Sequence, residues 1–241
     1  MYEGKHKISY YDLDLSGRVK LSSLLKMVHI AADANATELG VGFTELSRLN
    51  MSFILQRFAL SVSRMPAYGE TVSIRTWPDS VARGTFLRKG DMYDENKIKI
   101  MEWTSMWILF NIAERKILKP SALPITLPLF TDYGVNVNPE KITLPAQSAL
   151  ISKYTHTVRY ADVDTNMHMN NSTYGDLIGN ALFPDSNATE SSKNWHDIQI
   201  NYLAETRLGD EINIEVHRAC NQYFVVGKTA EKTSFTARVN S

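Results

Sequence analysis

Leu21, Leu24, Leu25, Val28 and Ala32 recur at the three-to-four-residue spacing of one helical face, and Gly40 supplies a stop, so a buried helix is predicted before residue 40. Runs rich in aromatic and β-branched residues follow. They predict strands at about 53–64, 70–79, 83–93, 98–111 and 113–118, broken at Pro66, Pro78 and Asp94-Glu-Asn. The order then returns: a shorter helix over roughly 171–182, with Tyr174, Leu177, Ile178 and Ala181 on one side, and strands near 196–206, 210–219, 222–231 and 233–239.

The recurrence extends to the residues themselves. Residues 6–14, HKISYYDLD, lie over residues 156–164, HTVRYADVD, at an offset of 164 − 14 = 150. Farther on, GETVSI from Gly69 resembles GDEINI from Gly209 at an offset of 209 − 69 = 140, as differing loop lengths would produce. Each half reads as a short strand, an Asp-x-Asp turn, a helix and then long strands, which is an α+β pattern made twice. Pro120, Pro124, Pro128, Pro139 and Pro145 punctuate the stretch between the copies. The expected organisation is an N-terminal domain over 1–130, a linker over 131–150 and a C-terminal domain over 151–241. The polar segment from Pro184 to Lys193 reads as a further loop.

Chemistry concentrates in the second copy. Asp164, Asn166 and His168 alternate with Thr165, Met167 and Met169, so an extended chain here would aim the three polar groups to one side and the methionines into apolar packing. A carboxylate, an amide and an imidazole at one place can orient a base, hold a carbonyl and move a proton near neutral pH. Backbone amides at the start of the following helix could add an oxyanion site. Asp and Asn are equally at home in turns and caps, which is the reading preferred for Asp162 and Asn171. The copies differ where chemistry would sit: Ser16 stands for Asn166 and Arg18 for His168. Glu205 is a fourth candidate, and at the offset of 140 its counterpart is Met65.

Composition narrows the partners. Lys plus Arg and Asp plus Glu number 26 each, so no basic field draws nucleic acid or a membrane surface. No run approaches a bilayer span, and the N-terminus lacks the apolar stretch of a secretory signal. With one cysteine, Cys220, an internal disulfide is excluded, and a cytoplasmic location is expected. The histidines show no ligand spacing, and no metal or phosphate-loop motif appears.

The run DVDTNMHMNN over 162–171, with Tyr202-Leu-Ala-Glu205 after it, resembles the acyl-acyl carrier protein thioesterases of plants and bacteria. Arg57, Pro66, Thr76-Trp77, Arg83, Arg88, Ser105-Met-Trp107, Asn111 and Arg115 fall in a similar order, so the likeness covers most of the chain. The resemblance implies two tandem hot-dog folds and hydrolysis of the thioester between a fatty acyl chain and acyl carrier protein, with no cofactor and no metal. It places the catalytic set on Asp164, Asn166, His168 and Glu205. It also implies an acyl pocket in the first half, where Phe53, Leu55, Phe58, Met101 and Trp107 lie. The residue after the Glu, often Cys in plant members, is Thr206 here, which favours direct attack by water. Without a plant-type transit segment before the first fold, a bacterial form is the closer match. An acyl-coenzyme A thioesterase and a non-catalytic acyl-binding protein are the alternatives, and a homodimer is an assembly left open.

Overall fold

In the computed structural model, residues 1–131, 133–183 and 195–240 are described. The chain divides into two compact units, one of Met1–Ile8 with Lys26–Pro139, the other of Ser9–Leu25 with Glu140–Ser241.

In the first unit the strands are β1 (Tyr2–Lys7), β2 (Met51–Val62), β3 (Thr71–Ala82), β4 (Thr85–Tyr93), β5 (Lys99–Asn111) and β6 (Lys116–Leu118). They run antiparallel in the order β1-β3-β4-β5-β2, with β6 on β5. Helix α1 (Leu21–Glu38) begins within the second unit and continues through the first. Its stripe is buried as the spacing predicts. It stops where the Gly40 amide turns back to Thr37 O and Val41 to Ala36 O, with Gly40 at φ 73°. That double closure satisfies carbonyls the helix leaves open, and the left-handed residue suits glycine. Helix α2 (Phe43–Arg48) is too short to leave a periodic signal and was not legible in the pattern. Pro78 does not end its strand. A bulge between Pro78 and Ser80 absorbs the missing donor, and Pro78 O accepts the Phe130 amide at 3.0 Å.

His29, on α1, packs edge-on against Phe58 and Trp107 at centroid distances of 6.2 and 6.3 Å. Its Nε2 is buried without a partner. Burial pushes the imidazole down to about 4. For a base whose folded value lies below its unfolded one, stability is complete above the unfolded value near 6.5 and is lost as pH falls through the window from 6.5 to 4. Up to about 3 kcal/mol is lost across that window. His29→Phe should flatten this acid limb in urea melts at pH 7 and pH 4.5, and an unchanged limb would count against the assignment.

The second unit holds β7 (Ala149–Thr157), helix α3 (Thr173–Leu182), β8 (Asp197–Tyr202), β9 (Glu211–Ala219), β10 (Gln222–Lys228) and β11 (Thr233–Asn240). Its strands are antiparallel in the order β8-β11-β10-β9-β7. The helix is tied to the sheet by Tyr154, whose hydroxyl donates to Leu177 O at 2.7 Å, and by Tyr174, edge-on to Tyr202 and Phe235. Gly175 permits the backbone of Leu21 and Ser22 to pass directly against α3. Both units are thus an antiparallel sheet with a helix on one face, the α+β tandem hot-dog pattern.

Between β6 and β7, one 3-10 turn at Pro120–Ala122 is followed, among the described residues, by chain without strand or helix. It is pinned at intervals. Thr104 Oγ1 donates to Val137 O, and Asn201 clamps Glu140 O at 2.9 Å and the Ile142 amide at 2.8 Å. The loop predicted from Pro184 to Lys193 lies outside the described residues.

Candidate active site

The residues singled out around 164–168 form a tight turn, not an extended run. A 3-10 turn at Tyr160–Asp162 leads into a bridge between Val163 and Met169. The chain reverses between them: the Asp164 amide donates to His168 O, the Met167 amide to Asp164 O, and Asp164 Oδ1 accepts the Asn166 amide at 2.8 Å. Alternation therefore fails as a guide to direction. Met169 is buried at 4% exposure, whereas Met167 stands 69% exposed at the tip.

The first copy builds the same turn, with Asp14 Oδ1 accepting the amides of Ser16 and Arg18 and a bridge between Leu13 and Val19. The left-handed position is Gly17 at φ 77° there and Met167 at φ 64° here. A side chain with Cβ pays steric strain in that region, on the order of 1 kcal/mol. Met167→Gly should raise stability by up to about 1 kcal/mol, read from the urea midpoint, with part of the relief offset by glycine's greater chain entropy.

Turn geometry aims His168. Beside it the Met169 amide donates to Thr206 O at 2.8 Å, which lays the turn along the segment after β8. That segment leaves the sheet where the amides of Leu203 and Ala204 both bond Ser234 O, so Glu205 lies beyond the strand and not on its alternation. The two backbones bring His168 Nε2 to 2.9 Å from Glu205 Oε2. Their side chains are 26% and 33% exposed, open enough to meet a solute. Arg207 Nη2 stands 3.7 Å from the same carboxylate oxygen.

Asp164, by contrast, addresses turn backbone; the carboxylate on the imidazole is Glu205. Asn166 sits at the exposed tip. Asp162 is a cap, as read: Oδ2 accepts the Arg159 amide at 2.8 Å and meets His156 Nε2 at 2.9 Å. The turn role assigned to Asn171 falls to Asn170, whose Oδ1 accepts the amide and hydroxyl of Ser172, the residue at the helix N-cap. Helix α3 accordingly starts at Thr173, two residues later than the pattern suggested. The Asn170 amide, one of the expected oxyanion donors, already donates to Asp162 O at 2.8 Å.

Support below the pair comes from residues the sequence did not single out. Thr206 is fully buried, and its hydroxyl pairs with Tyr174 at 3.0 Å, which also lies 3.4 Å from Ser234 Oγ. Tyr202 donates to Asn171 O at 3.3 Å. Burial pushes both phenols up, so each stays protonated and able to donate. An isolated Thr or Tyr on a strand carries no sequence signal for such a role. Among the described residues no group of His, Cys, Asp and Glu is arranged to hold a metal ion, and no helix is long and apolar enough to cross a membrane.

An antiparallel sheet with a helix on one face, made twice, is the tandem hot-dog pattern, and the His168–Glu205 contact makes the second copy the candidate site. Family models agree on both halves: the acyl-ACP thioesterase N-terminal domain matches residues 1–121 and the C-terminal domain residues 146–240. The chain belongs to the acyl-ACP thioesterase family. Among similar proteins, oleoyl-acyl carrier protein thioesterase 1 of Arabidopsis thaliana is 23% identical over 97% of this chain and 64% of its own length. Dodecanoyl-[acyl-carrier-protein] hydrolase of Cinnamomum camphora is 31% identical over 67% of this chain and 42% of its own. The chain thus spans less than two thirds of these curated relatives. An acyl-ACP thioesterase from Bacteroides thetaiotaomicron shares the fold at a TM-score of 0.78 and 24% identity, covering 99% of this chain and 96% of that one. The 12:0-ACP thioesterase from Umbellularia californica does so at 0.80 and 16%, with the same coverage of both chains.

Proposed function

We propose that the protein hydrolyses fatty acyl-acyl carrier protein thioesters, releasing a free fatty acid and the carrier's thiol. The observation that carries this reading is the His168–Glu205 contact of 2.9 Å, present in the copy that has both residues and impossible in the copy that has Arg18 and Met65. Membership of the thioesterase family supports the substrate class.

In the proposed reaction Glu205 holds a proton on His168 Nε2, which leaves Nδ1 as the basic nitrogen. Water loses its proton to the imidazole as its oxygen bonds to the thioester carbon. Collapse of the tetrahedral intermediate breaks the C–S bond, and the sulfur leaves with the proton returned by His168. Asp164 fixes the turn through the Asn166 amide, and the Asn166 side chain is the group proposed to hold the thioester carbonyl. The residue after Glu205 is a buried threonine, Thr206, so that position offers no thiol nucleophile.

The test is free-thiol release from acyl carrier protein and coenzyme A thioesters of matched chain length. Faster cleavage of the carrier-bound series, with a rate that falls as salt rises, is the expected result, because an acidic carrier docks through screened charge. Equal or faster cleavage of the coenzyme A series would assign the enzyme to that substrate, and cleavage of neither would leave an acyl-binding protein.

A further inference from the structure

We infer that a chain of three buried hydroxyls, on Thr206, Tyr174 and Ser234, positions Glu205 against His168. The three act through the carboxylate and its backbone, so they are positioning residues. Their effect on rate rests on the hydrolysis proposed above; their effect on the His168–Glu205 contact does not.

One proton per hydroxyl fixes the direction of the chain. Ser234 Oγ donates its proton to Ala204 O at 3.3 Å, so toward Tyr174, at 3.4 Å, it accepts. The Tyr174 hydroxyl therefore donates to Ser234, and its oxygen accepts from Thr206 at 3.0 Å. The chain runs from Thr206 through Tyr174 and Ser234 to Ala204 O, and so begins and ends on the two neighbours of Glu205. All three side chains are buried, where a hydrogen bond left unmade is costly. The Tyr174 ring is fixed in turn, edge-on to Tyr202 and Phe235 at 5.2 and 5.1 Å. Thr206 also serves the other partner: its carbonyl accepts the Met169 amide at 2.8 Å, next to His168.

The first copy builds the same backbone without these hydroxyls. There the amides of Ser63 and Arg64 both bond Ile100 O, as those of Leu203 and Ala204 bond Ser234 O, at offsets of 203 − 63 = 140 and 204 − 64 = 140. Ile100 therefore stands where Ser234 stands. At the offsets of 140 and 150, Pro66 answers to Thr206 and Leu24 to Tyr174. Each of the three is buried and none has a hydroxyl. Met65, in the place of Glu205, has no charge to aim. The doubled backbone bond thus occurs with and without the hydroxyls, whereas the hydroxyls occur where a carboxylate lies between their two ends.

Tyr174→Phe and Thr206→Val each remove one hydroxyl and keep the shape, while Thr206→Ser keeps the hydroxyl. Two readouts on the full chain test the assignment. Imidazole nitrogen chemical shifts at alkaline pH report which nitrogen of His168 carries the proton, with His168→Ala to identify the signal. The Nε2-protonated form should dominate in wild type and Thr206→Ser, and lose its preference in Tyr174→Phe and Thr206→Val. Thiol release, measured below the melting temperature of every variant, should show kcat lower by about 10- to 100-fold in those same two, with KM within about twofold of wild type. Added to Glu205→Ala, either change should cost no more than about a further twofold, because no carboxylate is left to aim. A wild type without the Nε2 preference, an unchanged preference or kcat in either folded variant, or a full additional loss on top of Glu205→Ala would overturn the proposal. Should wild type release no thiol, the hydrolysis reading fails, and the protonation of His168 alone decides the positioning.

Discussion

Replacement of His168 by alanine is expected to cut thiol release by about 10²–10⁴-fold while the melting temperature stays within a few degrees of wild type. The two halves of that statement have different causes. The catalytic half follows from the loss of the group proposed to take and return the proton. The structural half follows from exposure: a partly solvated imidazole–carboxylate pair is worth only about 0–1 kcal/mol, and the turn itself is held by backbone bonds between residues 163 and 169. Glu205→Gln should leave the imidazole in place but remove the charge that stabilises its protonated form, so its rate should fall between wild type and His168→Ala. The double variant should be no slower than His168→Ala alone, because the pair acts as one unit. A folded His168→Ala protein turning over within a few-fold of wild type would remove this residue from the mechanism.

The lines of the fold that were legible in the sequence were those written by repetition. The helical stripe of Leu21 to Ala32 and the long β-branched runs each bury one face, and burial demands a period. The offset of 150 between the copies distinguishes the shared Asp turn from the unshared Asn166 and His168. Direction was not legible. Period-two alternation assumes an extended backbone, and the Asx turn at Asp164 breaks that assumption within two residues. For the same reason Asp164 looked like the imidazole's partner, whereas the partner is Glu205, remote in sequence and displaced from its strand by a doubled bond to Ser234 O. Proline misled at Pro78 because a bulge, which has no residue signature of its own, supplied the room.

Duplication also makes the pair's position depend on a residue with no chemistry. Helix α3 follows the His168 turn almost immediately, with Asn170 bonded to the N-cap residue Ser172, so a shift of the helix is passed to His168. Gly175 fixes where that helix lies. A Cβ on it would stand 2.7 Å from Ser22 N and 2.8 Å from Ser22 Cα, and a third contact at 3.1 Å is also backbone. No rotamer change can relieve backbone contacts; α3 must move away. Gly175→Ala would ordinarily gain about 1 kcal/mol of helix propensity, but overpacking of this kind costs about 1–3 kcal/mol and occasionally more. The expected net result is a loss of up to about 2 kcal/mol in urea unfolding. Because Tyr174 is the preceding residue and its hydroxyl meets Thr206 beside Glu205, thiol release should fall as well, even at temperatures where the variant remains folded. Restoring room by Ser22→Gly cannot help, since the clash is with main chain and not with the Ser22 hydroxyl. A Gly175→Ala protein of wild-type stability and rate would show that α3 can shift without moving the pair, and that the close approach at Ser22 is not what positions it.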